Sequence, residues 1–199
     1  MLGIAGPPGA GKTTVVAALL VASAHDPRLA GRVAHLPMDG FHLTNAELDR
    51  LGRRERKGAP DTFDTAGYAA TLAAVRSSPR VVVRGPAFDH AVGEPEADAI
   101  EVGPAADLVV TEGNYLLLDE PRWREVRQSL DETWFCALPD AQRRTRLVAR
   151  HVEAGRRPDD AVRWVNHSDE ANARLVAAGR DVADLVLVDG RVFDGSATP

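Results

Sequence analysis

The sequence predicts a three-layer α/β/α fold in which a mostly parallel, five-stranded sheet carries helices on both faces. Three observations support this fold class. Short apolar runs alternate with longer segments of helical periodicity, which is typical of parallel strands joined by crossover helices. A glycine-rich loop at residues 6–13 follows the first apolar run. Acidic residues directly follow two later runs, at the strand ends where parallel sheets gather their ligands.

The individual elements follow from the same periodicities. The predicted strands are residues 2–5, 32–38, 80–84, 108–111, 132–138 and 185–188. The predicted helices are residues 13–24, 45–51, 65–77, a short segment from Pro121, and residues 140–154, 159–165 and 168–178. We expect residues 86–95 to be irregular, residues 99–102 to pair with a neighbour, and the polar tail from Gly190 to fray.

Composition narrows the class of protein. The chain has 199 residues, of which 44% are hydrophobic and 27% charged. These values suit one globular domain covering residues 1–199. The formal net charge of −5 argues against a nucleic-acid binder, which needs a basic face. The single cysteine, Cys136, lies in an apolar run and is expected to be a buried strand residue.

The expected location and assembly follow from weaker signals. No apolar stretch approaches the roughly 18 residues that a membrane span needs. The first residues lack the charged and apolar regions of a signal peptide. We therefore expect a cytoplasmic protein with no membrane partner. A homodimer is the expected assembly, because it is the commonest symmetric oligomer.

Residues 6–13, Gly-Pro-Pro-Gly-Ala-Gly-Lys-Thr, match the phosphate-binding pattern G-x-x-x-x-G-K-[ST]. The glycines let backbone N–H groups surround phosphate oxygens, and the following helix directs its positive dipole end at them. We expect Lys12 to reach the β- and γ-phosphates and the Thr13 hydroxyl to bind Mg²⁺. The predicted ATP-binding residues are Gly6, Pro7, Pro8, Gly9, Ala10, Gly11, Lys12, Thr13 and Thr14. The loop indicates a P-loop NTPase, a group that also includes GTPases and motors.

Two acids follow apolar strands. Asp39 comes after the second predicted strand, and Glu112 comes after residues 108–111. Because the carboxyl ends of parallel strands meet at one edge, both acids should lie beside the phosphate loop. Glu112 suits a Mg²⁺ site, which leaves Asp39 to accept the proton of an acceptor hydroxyl. For each acid alone, a turn residue or helix cap is the alternative.

The chain resembles a known group of enzymes. The segments that carry the resemblance are the phosphate loop, Met38-Asp39-Gly40-Phe41-His42, residues 57–64 (Lys-Gly-Ala-Pro-Asp-Thr-Phe-Asp), residues 86–90 (Pro-Ala-Phe-Asp-His) and Thr111-Glu112-Gly113-Asn114-Tyr115. They resemble the family of P-loop kinases that includes uridine kinase, phosphoribulokinase and bacterial pantothenate kinase. The similarity covers nearly the whole chain and is greatest to short bacterial members described as nucleoside, sugar or pantothenate kinase-like.

The resemblance implies roles for particular residues. Asp39 matches the family's catalytic base and Glu112 its metal-side acid, while Lys12 and Thr13 match its phosphate and Mg²⁺ ligands. Phe88 replaces the tyrosine of a Tyr-x-His pair that contacts the acceptor in pantothenate kinase, so a hydrogen bond is missing and pantothenate is disfavoured. The substrate-binding residues that follow are Asp39, His42, Phe88, His90, Asn114 and Asn166.

An arginine-rich segment completes the resemblance. Arg143, Arg146 and Arg150 lie at i, i+3 and i+7 of the predicted helix, on one face. We predict a helical lid at about residues 140–160 whose arginines neutralise charge on the transferred phosphoryl group and exclude water. The alternative is a solvated basic face, which is common for charge runs.

These patterns predict an ATP-dependent kinase that uses Mg²⁺ and phosphorylates an alcohol group of a small metabolite. A nucleoside, a pantothenate-like compound and a sugar all remain open, because specificity lies in irregular loops. The main alternative is a regulatory ATPase or NTP-binding switch without a small acceptor. A GTPase is disfavoured because the sequence has no Asn-Lys-x-Asp segment. An inactive scaffold and a kinase for phosphorylated acceptors are the remaining alternatives.

Overall fold

A computed structural model describes residues 1–77 and 80–193 of the chain. The strands are β1 (Leu2–Ala5), β2 (Val33–His35), β3 (Val83–Asp89), β4 (Glu94–Val102), β5 (Leu108–Gly113), β6 (Glu132–Ala137), β7 (Leu185–Val188) and β8 (Arg191–Val192). The α-helices are α1 (Lys12–His25), α2 (Asn45–Arg50), α3 (Thr65–Arg76), α4 (Pro121–Gln128), α5 (Asp140–Glu153), α6 (Pro158–Trp164) and α7 (Glu170–Val176). Within these two ranges, no helix is long and apolar enough to cross a membrane.

Six strands form the central sheet, in the order β2-β5-β1-β6-β7-β8. The first five run parallel, and the two-residue β8 pairs with β7 in the antiparallel direction. The predicted α/β fold with a mostly parallel sheet is therefore confirmed, and β8 adds a sixth, short strand. That strand lies in the tail that the sequence predicts to fray, of which residues 194–199 fall outside the described range.

Hydrophobic side chains pack on both faces of the sheet because neighbouring residues of a strand point to opposite sides. On β5, Val109 belongs to a core that includes Tyr68 of α3 and Trp123 of α4. Val110, the next residue, belongs to a second core that includes Val16 of α1. The strands are therefore buried on both faces, which explains why their sequences are almost continuously apolar.

The β3–β4 hairpin corrects the prediction for residues 80–95. The sequence predicts a strand at residues 80–84 and irregular chain at residues 86–95, but β3 and β4 form a separate two-stranded antiparallel sheet. Proline interrupts both strands and the side chains of β4 are largely exposed, so the alternation that identifies a strand is weak. Packing instead holds the hairpin: a Cβ on Gly40 would lie 2.0 Å from Pro86 O.

Strand β2 is shorter than predicted. The sequence predicts a strand over residues 32–38, whereas β2 ends at His35 and Met38–Phe41 forms a 3-10 turn. Pro37 precedes the turn and has no backbone N–H to continue the ladder. Met38 and Phe41 are buried on either side of the turn, and this fixes the position of Asp39 between them.

A π-helical turn joins the last two helices. The sequence predicts separate helices at residues 159–165 and 168–178, but α6 continues through Val165–Asp169 in π geometry into α7. A π turn adds one residue per hydrogen-bonded turn and so shifts the faces of the helix on either side. As a result, Asp169 and Asn172 are buried although the segment is rich in polar residues.

Candidate active site

The phosphate loop connects β1 to α1, and its glycines allow its backbone shape. Gly9 and Gly11 have φ values of +79° and +92°, in the left-handed region that favours glycine. A Cβ on Gly9 would also lie only 2.8 Å from Leu147 Cγ of α5. The predicted ATP-binding residues 6–14 all fall in this loop and the first turn of α1.

Lys12 lies inside the loop with its side chain surrounded by oxygen acceptors. Its Nζ donates to Gly6 O at 3.1 Å, to Pro7 O at 3.2 Å and to Asn114 Oδ1 at 2.7 Å. Burial lowers the pKa of Lys12, and the nearby Glu112 carboxylate opposes this shift. Asn114, predicted to bind the acceptor, therefore contacts the lysine of the phosphate loop.

Thr13 and Glu112 form a pair beside the loop. The Thr13 hydroxyl donates to Glu112 Oε1 at 3.1 Å. Burial raises the pKa of the Glu112 carboxyl, and the positive charge of Lys12 opposes the increase. Hydroxyl and carboxylate oxygens are the ligands that Mg²⁺ prefers, so the pair fits this ion. In the described part of the chain, no group of three or more His, Cys, Asp or Glu could hold a metal. The remaining ligands would therefore be phosphate oxygens and water.

Asp39 lies at the same edge of the sheet. Its negative charge opposes the decrease in the pKa of Lys12 and adds to the increase in the pKa of Glu112. The Asp39 backbone carbonyl accepts hydrogen bonds from the backbone N–H of His42 at 3.2 Å. It also lies 2.7 Å from His42 Nδ1. These contacts hold the turn and leave the partly exposed carboxylate available to a ligand.

Aromatic rings lie next to Asp39. The His42 ring is 4.1 Å from the Phe63 ring and 4.5 Å from the Phe88 ring, between centroids. His90 packs edge-on against Phe88 at 5.1 Å. Burial lowers the pKa of His42, and the Asp39 charge opposes the decrease. The structure thus brings together three of the predicted acceptor-binding residues, His42, Phe88 and His90, next to Asp39.

Lys57 joins three segments on this side of the site, a role that sequence reasoning misses. Its Nζ donates to Asn45 Oδ1 at 2.7 Å and to Gly93 O at 2.6 Å, and lies 5.3 Å from the Phe88 ring centroid. Glu94 accepts from the Asn45 backbone N–H at 3.0 Å. Lys57 therefore ties α2 and the 54–62 segment to the tip of the β3–β4 hairpin. The sequence offers one indication of this role: the chain has only two lysines, so a lysine at this position is unusual.

The three predicted lid arginines have different surroundings. Arg143 is fully buried, with hydrogen bonds to Pro8 O and to the Asp140 and Glu170 carboxylates. Its side chain therefore contacts the phosphate loop directly, and its predicted role in the lid stays a prediction. Arg146 is exposed and pairs with Asp189 at 3.3 Å. Arg150 is exposed, and its positive charge lowers the pKa of Lys12 and of Glu112.

The predicted acceptor contact of Asn166 also stays a prediction. Asn166 is exposed and accepts a hydrogen bond from Arg144 of α5. Asn172, by contrast, is buried, and its Nδ2 donates to Gly58 O at 3.4 Å. In the sequence, Asn172 precedes the apolar Val176 by four residues, and this helical spacing would have predicted that Asn172 lies on the buried face of α7.

The chain is similar in sequence and in fold to several proteins. No model of a known protein family matches it. A Schizosaccharomyces pombe protein named as a putative uridine kinase is 32% identical over 194 residues, covering 94% of this chain and 82% of the relative. The chain belongs to the uridine kinase-like family of P-loop kinases.

Two further comparisons support the family assignment. ATP-dependent kinase YFH7 of Eremothecium gossypii is 30% identical over 192 residues, covering 79% of this chain and 58% of the relative. A solved structure from Silicibacter sp. TM1040, described as a putative fructose transport system kinase, has a TM-score of 0.82 and 38% identity. It covers 94% of this chain and 88% of that one.

Proposed function

We propose that this protein transfers the γ-phosphoryl group of ATP to a hydroxyl group of a small metabolite. The observation that carries the proposal is the meeting of Lys12, Asp39 and Glu112 at one sheet edge, where the charge of each affects another. The Asp39 charge acts both on Lys12 of the phosphate loop and on His42, whose ring lies 4.5 Å from that of Phe88. An alcohol bound against these rings would place its hydroxyl between the base and the donor.

Asp39 is the proposed general base. Its carboxylate accepts the hydroxyl proton as the acceptor oxygen forms a bond to the γ-phosphorus. The bond from the γ-phosphorus to the β–γ bridging oxygen breaks, and that oxygen leaves on ADP with the electron pair. A carboxylate is suited to this task when it is accessible and not consumed by an ion pair.

The donor side binds and neutralises the phosphates. Lys12 and the backbone N–H groups of the loop hold the β- and γ-phosphates, and Thr13 and Glu112 would hold Mg²⁺. When bound, this ion withdraws negative charge from the phosphate oxygens. Arg150 is the proposed lid arginine, because it is exposed and its charge already acts on Lys12 and Glu112. Its approach would also exclude water, which competes with the acceptor.

The acceptor's chemistry is restricted by the residues around Asp39. Phe88 offers an aromatic ring and no hydroxyl, and the His42 ring lies tilted between the Phe63 and Phe88 rings. Aromatic rings suit the flat base of a nucleoside or the apolar face of a sugar ring. The names of the relatives include a uridine kinase and a fructose transport system kinase. Nucleosides and sugars are therefore the first acceptors to test, with pantothenate after them.

The test is ADP release from Mg²⁺–ATP with a panel of nucleosides, sugars, sugar phosphates and pantothenate. We expect one acceptor class to stimulate release. Replacement of the base in Asp39→Asn should lower kcat by about 10²–10⁴-fold. Asp49→Asn is the matched control, because Asp49 is an exposed carboxylate of α2 and its loss should leave kcat unchanged.

Two outcomes would contradict the proposal. Full turnover by Asp39→Asn would show that this residue is not the base. Equal ADP release with and without every acceptor would show a regulatory ATPase instead of a small-molecule kinase.

A further inference from the structure

A buried arginine supports the phosphate loop from behind. The Arg143 side chain is 1% exposed. Its Nη1 donates to Pro8 O at 3.4 Å, and its Nη2 donates to Asp140 Oδ1 at 3.2 Å and to the Glu170 carboxylate. One guanidinium therefore links the phosphate loop, the first turn of α5 and the first residue of α7.

The loop rests directly on this part of α5. A Cβ placed on Gly9 would lie 3.1 Å from Arg143 O and 2.8 Å from Leu147 Cγ. Behind the loop, a cavity of about 240 Å³ borders Pro7, Arg143 and Glu170. Packing leaves this space open, and beside it Arg143 supplies a hydrogen bond to the back of the loop.

The contact at Pro8 has a directional consequence. In a trans peptide unit the C=O and the following N–H point in opposite directions. Holding Pro8 O toward the Arg143 guanidinium therefore turns the Gly9 N–H away from that guanidinium. Backbone N–H groups of this loop are the donors that surround phosphate oxygens. The orientation of one such donor thus depends on Arg143, and Arg143 in turn depends on Glu170.

We propose that Arg143 and Glu170 are positioning residues for the phosphate loop, acting through the Pro8 carbonyl and touching neither ATP nor acceptor. The inference rests on the proposed function only in that the loop binds ATP. A buried charge is a poor source of stability, since its desolvation offsets most of the gain from pairing. Under this proposal, the buried Arg143–Glu170 pair orients the phosphate loop and does not serve stability alone.

The experiment measures binding of Mg²⁺–ADP by titration calorimetry. Arg143→Lys keeps a charge for Glu170, but a single ammonium cannot reproduce the planar fork that also reaches Pro8 O. We expect this variant to bind Mg²⁺–ADP about tenfold more weakly. Arg143→Gln should bind at least as weakly. Arg144→Gln is the matched control, since Arg144 is its exposed neighbour on α5, and its affinity should equal that of the wild type.

Glu170 variants and a second ligand separate positioning from general destabilisation. Glu170→Gln keeps an oxygen acceptor for Arg143 and should bind Mg²⁺–ADP nearly as the wild type, whereas Glu170→Ala should bind several-fold more weakly. Adenosine has no phosphates, so its affinity should be the same in all variants that remain folded. Equal weakening of adenosine and Mg²⁺–ADP would overturn positioning of the loop in favour of a purely structural role.

The outcome for the wild type distinguishes the two proposals. If the wild type binds Mg²⁺–ADP and both Arg143 variants match it, the inference about Arg143 is wrong while the proposed kinase stands. If the wild type does not bind Mg²⁺–ADP at all, the nucleotide site itself is wrong, and the inference falls with it.

Discussion

The two lysines of this chain contact different segments and are held in different ways. Lys12 is buried and is bound by carbonyls of its own loop together with Asn114. Lys57 is partly exposed and bridges Asn45 to the hairpin tip at Gly93. The donor side is thus built from one continuous motif and the neighbouring strand end. The acceptor side is built from segments that are far apart in sequence.

Under the proposed function, this difference separates phosphate binding from the choice of acceptor. A substitution in the 45–57 or 88–94 region can change the acceptor pocket without altering the backbone of the phosphate loop. Relatives with one fold and differently named substrates are expected from such a division. The variants below test whether the two sides are energetically independent.

The largest effect is expected for Lys12→Met. Methionine has a similar length but no charge, so the β- and γ-phosphates lose their side-chain cation. We expect kcat/KM for ATP to fall by about 10²–10³-fold or more. ADP release at saturating acceptor measures it, and a melting curve checks that the variant is folded. A loss below about tenfold would mean that Lys12 does not contact the transferred group.

A smaller and different effect is expected for Lys57→Met. Loss of the bonds to Asn45 and Gly93 should loosen the hairpin tip and raise KM for the acceptor about tenfold. KM for ATP should stay within about twofold of the wild type, because no contact of Lys57 reaches the phosphate loop. Initial rates with each substrate varied in turn measure both constants. A parallel rise in both values would contradict the independence of the two sides.

The contrast between the two lysines also marks the limit of prediction from sequence. The strands at residues 2–5, 108–111 and 185–188 are predictable because burial on both faces leaves continuous apolar runs. Lys12, Thr13, Asp39 and Glu112 are predictable because motif and strand ends set their positions. The hairpin is not predictable, because its strands contain proline and are held by the close contact between Gly40 and Pro86.

The same limit explains the lid arginines. Helical spacing places Arg143, Arg146 and Arg150 along one face, but spacing does not tell which part of that face is covered. The phosphate loop covers the helix at Arg143 and Leu147 and leaves Arg150 exposed. Burial of an arginine depends on tertiary contacts with residues about 130 positions away, which no local pattern reports.

A smaller effect is expected for Gly93→Ala at the hairpin tip. Gly93 has a φ of +74°, and a Cβ there would meet no atom within 4 Å. The cost is therefore backbone strain alone, about 1–2 kcal/mol. Gly31→Ala is the matched control, since Gly31 has a φ of +73° and an equally open Cβ position. Both variants should lower Tm by a few degrees, but only Gly93→Ala should raise KM for the acceptor, by about twofold.

The smallest effect is expected in the pH dependence of stability at His42. Burial lowers the pKa of His42 below its usual value of 6.5, and the Asp39 charge opposes the decrease only in part. At a pH between the pKa of His42 in the unfolded chain and its lower pKa in the folded chain, the unfolded chain binds the proton more tightly. The stability that the neutral ring provides is therefore present above pH 6.5 and is lost as the pH falls through the folded pKa.

His42→Phe keeps a ring between Phe63 and Phe88, so its Tm should fall less between pH 7.5 and 5.5 than that of the wild type. Some dependence should persist, because burial also lowers the pKa of His35. An unchanged difference in Tm would show that the His42 ring is not sheltered by the aromatic residues on the acceptor side.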